Sequence, residues 1–260
     1  MPNLDQEKLT FFEKGYIIFN INDDLLVDKV NSDIDALFQS GDYKTNSTIY
    51  SYNHYPRIVE SYKFSFHCKS LALHHSILDR LSFFYSLHPV AFSTINFLHS
   101  TQQPLHSDYA HFGTLPHRML VGAWVALEDI NPDAGPLQVV PFSHNLKLFD
   151  FYDINGHTPK SLHEVKSNYS SYEQYVEDIV IKERLTPITP TLKKGDCVLW
   201  EANLLHGSPI CVDPSLTRRS QVTHWTFTNV NKHYNPAFSS IKLNRYAERS
   251  LTFIDDSQGV

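Results

Sequence analysis

The chain has 260 residues, of which 42% are hydrophobic and 19% charged, with a formal net charge of −6. That composition is globular and excludes a disordered chain, and an acidic balance without a basic stripe argues against a nucleic-acid partner. No run approaches about eighteen consecutive apolar residues, Met1 to Lys14 shows no apolar leader, and Cys68, Cys197 and Cys211 form no CxxC pair; the expectation is a cytoplasmic protein without a membrane span, secretory signal or disulfide framework.

Leu4 to Lys14 sets Leu9, Phe11 and Phe12 among charges and is stopped by Gly15, which predicts a helix. The apolar run Tyr16–Phe19 reads as a short strand. Asp23 or Asp24 is placed to cap a second helix through Leu37, where Leu25, Val27, Val30, Ile34 and Leu37 recur near helical spacing and Gly41 follows. Residues 42–60 read as irregular loop, and Ser70 to Leu87 as one helix ending before Pro89. The texture then turns to β: Val90–His99, Met119–Leu127, Leu137–Val140, Asp196–Trp200 after a Lys-Lys-Gly turn, and Ser220–Thr228 with period-two alternation. Residues 149–190 are the least strand-like part of the second half, with a helical look from Ser171 to Leu185, and read as an insertion that either covers the site or only packs. No repeat or linker divides the chain. The expected organisation is one domain over 1–260, mostly helical over 1–88, with a β core over 89–230 interrupted by the insertion.

The sharpest local feature is Leu105-His106-Ser107-Asp108. On extended backbone, side chains at i and i+2 leave the same face, so His106 and Asp108 can meet one ion. A third ligand must then come from a distant strand, and His206 in Leu204-Leu205-His206-Gly207-Ser208 is the candidate. Two imidazoles and one carboxylate suit iron(II) and leave coordination positions open. Fifteen histidines make a lone HxD weak, but HxD, a later isolated His-Gly-Ser and an Arg a dozen residues on form a more specific pattern. A guanidinium fork matches a carboxylate. Arg218 and Arg219 open the last strong strand, where only one of the two can point inward.

At these residues the sequence resembles the phytanoyl-CoA dioxygenase family of 2-oxoglutarate-dependent oxygenases. The matching pieces are Phe12 to Tyr16, His106-Ser107-Asp108, Trp124 to Asp129, Gly135-Pro136-Leu137 through Ser143-His144, Lys194-Gly195-Asp196, and His206-Gly207-Ser208 leading to Arg218. The resemblance implies a double-stranded β-helix, a cupin-like jelly roll with flanking helices. It implies iron(II) on His106, Asp108 and His206, and the C5 carboxylate of 2-oxoglutarate on Arg218 rather than Arg219, with Ser208 and Trp124 flanking the cosubstrate and Asn96 a weaker candidate. The implied activity is dioxygen-dependent hydroxylation, or another oxidation, of a C–H bond in a small metabolite with release of succinate and CO2. A cupin-like metal-dependent isomerase or a non-catalytic binding protein on the same fold is the alternative. Phe142 stands where the family has Gly, and Asp108 is present where related halogenases lack a carboxylate. Tyr109, His111, Arg118, His144 and Trp200 lie near the motifs, with packing the simpler role for each.

Overall fold

The computed structural model describes residues 3–41, 44–45 and 57–255. Its strands are β1 (Tyr16–Asn20), β2 (Lys44–Thr45), β3 (Arg57–Val59), β4 (Pro89–Phe97), β5 (Gly113–Leu115), β6 (Val121–Ala126), β7 (Gln138–Val139), β8 (Asp196–Glu201), β9 (His206–Gly207), β10 (Ser220–Phe227) and β11 (Lys232–Tyr234). Seven of them form an antiparallel major sheet in the order β1-β8-β6-β10-β4-β3-β2. Opposite it lies a minor sheet broken into short pieces: β5 with β11, β7 with β9, and a bridge between His106 and His206. The architecture is the expected jelly roll with flanking helices.

Period-two alternation sorts the major sheet into two faces. Val121, Ala123 and Val125 of β6, Cys197 and Leu199 of β8, and Trp225 and Phe227 of β10 share one core with Ile17 and Phe19 of β1. The helices cover that face: α1 (Leu4–Lys14), α2 (Asp24–Ser40), α3 (Phe66–Ala72) and α4 (His75–Tyr85). The intervening residues Trp124, Ala126, Val198, Trp200 and Val222 face the minor sheet and meet Leu137, Val139 and Leu204. The same alternation decides what enters the space between the sheets.

The first two helices follow their sequence signals. Asp23 accepts from Leu26 N and caps α2, while Gly15 and Gly41 end α1 and α2 in the left-handed region that glycine adopts without strain. The expected single helix over Ser70–Leu87 is instead two. Ser65 caps α3 by accepting from Cys68 N, the chain extends at His74, and the His74 ring caps α4 by accepting from Ser76 N. Apolar periodicity runs across the break, and histidine is not among the usual capping residues, so periodicity alone could not show it. In 42–60, expected to be loop, Lys44–Thr45 and Arg57–Val59 are strands; most of that stretch lies outside the described residues.

The insertion holds α5 (Phe151–Asn155) and α6 (Leu162–Lys182), the latter starting well before the expected Ser171. Ser161 accepts from Glu164 N, and the Glu164 carboxylate accepts from Lys160 N, a variant of the capping box legible as Ser-x-x-Glu. Val165, Tyr169, Tyr172 and Val176 are the buried stripe of α6 and pack on Val140, Phe149 and Leu205. No helix among the described residues is long and apolar enough to cross a membrane.

Trp225, fully buried between the major sheet and the helices, fills a site that cannot collapse without moving both layers. Trp225→Ala is expected to destabilise the fold by about 3–5 kcal/mol, read as a lower midpoint in urea unfolding with little change in slope.

Candidate metal centre

His106 and His206 sit opposite one another and exchange both backbone hydrogen bonds, His106 N to His206 O at 2.9 Å and His206 N to His106 O at 3.0 Å. Their rings lie 4.5 Å apart between centroids. Each ring is oriented the same way: Nδ1 of His106 donates to Pro104 O, and Nδ1 of His206 to Leu204 O, both at 2.9 Å. A carbonyl acceptor on Nδ1 sets the neutral tautomer whose Nε2 lone pair is available to a metal. Gly207 is required beside this pair, because a Cβ there would stand 2.8 Å from Gln103 O and 2.9 Å from Leu105 N. The backbone of the His106 loop occupies that space.

Asp108 follows one extended residue, Ser107, and opens a short 3-10 turn over Asp108–Ala110. Ser107 pins the loop in two ways. Its hydroxyl lies within bonding distance of Ala202 O and Asn203 Oδ1, and its N donates to the Tyr172 hydroxyl of α6 at 2.8 Å. The insertion therefore buttresses the loop that carries the carboxylate. Ligand atoms of His106, Asp108 and His206 all lie within 4.8 Å of one another, and all three residues are buried. Two imidazoles and a carboxylate at that spacing, with Nδ1 of each ring already held by a carbonyl, fit a divalent first-row metal.

The major sheet holds the carboxylate from behind. Trp200 Nε1 of β8 donates to Asp108 Oδ2 at 2.8 Å, and His224 Nε2 of β10 lies 3.4 Å from the same oxygen. Asp108 Oδ1 is turned toward His206 Nε2, 3.6 Å away. Burial alone would raise the Asp108 pKa, but His206 and His224 outweigh it and hold the carboxyl ionised well below its ordinary range. Burial, reinforced by His206, keeps His106 neutral. His224 was absent from the sequence-derived site, although it shares a strand face with Arg218 and Val222 and was legible by that alternation. Its seat coincides with an irregularity: His224 pairs with Ser93 and Trp225 with Ala91, so Phe92 is the extra residue of a bulge and its ring stacks on His224.

The cluster opens into a cavity of about 370 Å3. Trp124, Ser208 and Arg218 line it with the three ligands. Arg218 is 3% exposed; it donates one long bond, Nη1 to Ser208 Oγ at 3.4 Å, and its Nε has no partner among the described residues. Its guanidinium lies 5.5 Å from the Phe97 ring and 5.7 Å from Trp124. Burial, with Arg57 beside it, pulls the Arg218 pKa down to about 10, which leaves it charged at neutral pH. Arg219 faces the other way and pairs with Asp35 of α2 at 2.8 Å. Asn96 is fully buried outside the cavity and donates to Gln221 Oε1, while its neighbours Ile95 and Phe97 on β4 line the cavity; the expectation for Asn96 missed by one residue of strand register. His111 and Trp200 reach the cavity, whereas Arg118 and His144 form a separate network with Asn203 and Tyr109 packs against Leu120 and Ala202.

A jelly roll with two buried histidines and a carboxylate between its sheets defines the class: a barrel built to hold one metal with open positions. The family model for phytanoyl-CoA dioxygenase (PhyH) matches residues 23–210, and the chain belongs to that family. It is 31% identical over 111 residues to the peroxisomal phytanoyl-CoA dioxygenase of Homo sapiens, an alignment covering 42% of this chain and 29% of that protein. It is 28% identical over 148 residues to the ectoine dioxygenase of Bordetella bronchiseptica, covering 54% and 43%. The chain thus matches less than half the length of these relatives. Among solved structures, EctD from S. alaskensis with bound Fe superposes with a TM-score of 0.67 at 21% identity, covering 89% of this chain and 79% of that one. The carbocyclase SnoK from nogalamycin biosynthesis gives 0.68 at 12% identity, covering 98% and 97%. At such identities the structures share the fold.

Two outcomes follow from these contacts. His224→Phe keeps a ring in place and removes one of the two partners of Asp108 Oδ2, leaving Trp200 Nε1; iron(II) or cobalt(II) affinity is expected to fall roughly 10–100-fold, measured by metal titration, with unchanged far-UV circular dichroism. Glu201, at the end of β8, is 5% exposed and its pKa is pushed up to about 8 by burial, against the pull of Arg118. The unfolded chain releases this proton near 4.5 and the folded chain near 8. The stability contributed by the protonated form is therefore complete below the lower value and is lost as pH rises to the upper one. Glu201→Gln is expected to flatten that decline in melting temperatures recorded across the same window.

Proposed function

We propose that this chain is an iron(II)- and 2-oxoglutarate-dependent dioxygenase that oxidises a C–H bond of a small molecule. The observation that carries the reading is one cavity holding two complementary sites, a metal-ligand cluster and a buried guanidinium that has no carboxylate partner among the described residues. His106, Asp108 and His206 are the residues that would hold the iron. Bound there, iron(II) supplies the positions at which 2-oxoglutarate and dioxygen react. The overall change balances as substrate, 2-oxoglutarate and O2 going to hydroxylated substrate, succinate and CO2, one oxygen atom entering each of the two organic products.

The protein's own residues account for the rest. A buried, under-bonded arginine is a costly group unless an anion completes it. Arg218 accordingly takes the distal carboxylate of the cosubstrate, Ser208 adds a hydroxyl to the same group, and the Trp124 face limits where the chain of the cosubstrate can lie. Solved relatives of the same fold support this assignment: EctD from S. alaskensis has been crystallised with 2-oxoglutarate and 5-hydroxyectoine, and SnoN with Fe3+ and alpha ketoglutarate. A cupin-like isomerase that needs no 2-oxoglutarate would have no cosubstrate for Arg218 to hold.

Anaerobic addition of iron(II) and 2-oxoglutarate should produce the weak visible band of the chelate. Asp108→Ala should abolish succinate formation. Arg218→Gln should weaken 2-oxoglutarate binding about 100-fold, or about 2.7 kcal/mol, with metal affinity retained. Full succinate formation by Asp108→Ala would overturn the assignment.

A further inference from the structure

On the wall supplied by the segment after β11, Asn235 lines the cavity. Its Oδ1 accepts from Ala237 N at 3.1 Å and caps a 3-10 turn over Pro236–Phe238. Its N donates to Ala247 O at 2.9 Å, and its O accepts from Ser239 Oγ at 2.6 Å. An amide oxygen must face the N–H it accepts from, so the cap also fixes which end of the side chain is the NH2 group. Nδ2 is left as the polar atom of Asn235 with no partner among the described residues. It can donate two hydrogen bonds and accept none.

The wall around this donor is apolar. Ala237 and Phe238 of the same turn line the cavity with Leu162 and Val165 of α6 and with Ala110. Ala110 lies two residues beyond Asp108 and shares a buried cluster with Ala237, where the two 3-10 turns meet. Both alanines are almost fully buried, at 2% and 6% exposed, and their methyl groups leave space that longer side chains would fill. A cavity of about 150 Å3 suffices to admit benzene. The volume of about 370 Å3 found here therefore has room for the cosubstrate and one further body of ring size. Asn235, Ala237 and Phe238 all lie beyond residue 210, where the match to the family model ends.

We infer that Asn235 is a specificity-determining residue: the substrate has an apolar body of about one ring, which lies on Ala110 and Ala237, and an oxygen that accepts the Asn235 Nδ2 hydrogen bond without donating one, a carbonyl or an ether. A hydroxyl suits the position less well, because Oδ1 is committed to the cap and the hydroxyl proton would face Ala237 and Phe238 unpaired. In the open cavity water satisfies Nδ2; a purely hydrocarbon body displaces that water and leaves the donor bare, which costs affinity. The inference rests on the reading that 2-oxoglutarate occupies the Arg218 end, which leaves the Asn235 end to the substrate.

The test is calorimetric titration of the anaerobic protein loaded with iron(II) and 2-oxoglutarate, using acetophenone, anisole and ethylbenzene, which are similar in size and of which the hydrocarbon alone lacks an acceptor. At least one oxygenated probe should bind about fivefold or more tightly than ethylbenzene, and the tighter of the two identifies the oxygen. Asn235→Asp and Asn235→Ser each keep an oxygen to cap the turn and remove the amide donor; both should erase the preference while far-UV circular dichroism stays unchanged. Ala237→Leu fills the space for the body and should weaken all three probes alike. Equal binding of the three, no binding of any at millimolar concentration, a preference that survives in both Asn235 variants, or full binding in Ala237→Leu would overturn the proposal. The visible band reports separately on the cosubstrate: its absence would remove the Arg218 reading, while the same titration without 2-oxoglutarate would still decide whether Asn235 selects the oxygen.

Discussion

The site depends on two backbone hydrogen bonds. By pairing reciprocally, His106 and His206 bring two points far apart in the chain to adjacent positions in the minor sheet, and the carbonyls of Pro104 and Leu204 turn both rings the same way. Gly207 lets the strands approach that closely. Asp108 completes the cluster from the 3-10 turn just after His106, yet its orientation is set from the other sheet, by Trp200 and His224. The cluster thus joins the two layers of the barrel, and its geometry is only as firm as the packing between them.

Electrostatics divides the cavity. At the cluster, a buried carboxylate is surrounded by imidazoles and stays ionised. At the other end the Arg218 guanidinium is buried against Trp124 and Phe97, with one long hydrogen bond, to Ser208, among the described residues, and burial with Arg57 nearby lowers its pKa. An ion left in that condition lowers the stability of the folded protein and raises its affinity for a complementary ion.

The walls of the cavity come from different parts of the chain. The metal cluster and the Arg218 end are built from strands of the barrel and the segments that join them. The opposite wall is supplied by α6 and by the segment after β11. Tyr172 of α6 also holds Ser107, so the insertion is part of the scaffold for Asp108 as well as part of the wall.

Local rules were enough to read much of this from the amino acids. Asp23, Gly15 and Gly41 mark helix ends because capping and left-handed backbone are properties of single residues. Alternation along the segment that leads into β10 makes Arg218 and Arg219 face opposite ways. His106, Asp108 and His206 were legible as a set because few chemistries need that donor combination. Tertiary structure alone decided the remainder. Asn96 and Ile95 differ by one step of register, and only the pairing of β4 with its neighbours shows that Ile95 faces the cavity. His224 acquires its role from Asp108, which the other layer carries, and that contact leaves no mark at short range in the chain. Periodicity and capping act over a turn or two of backbone, while the shape and charge of a cavity arise from side chains that meet only after the sheets have packed.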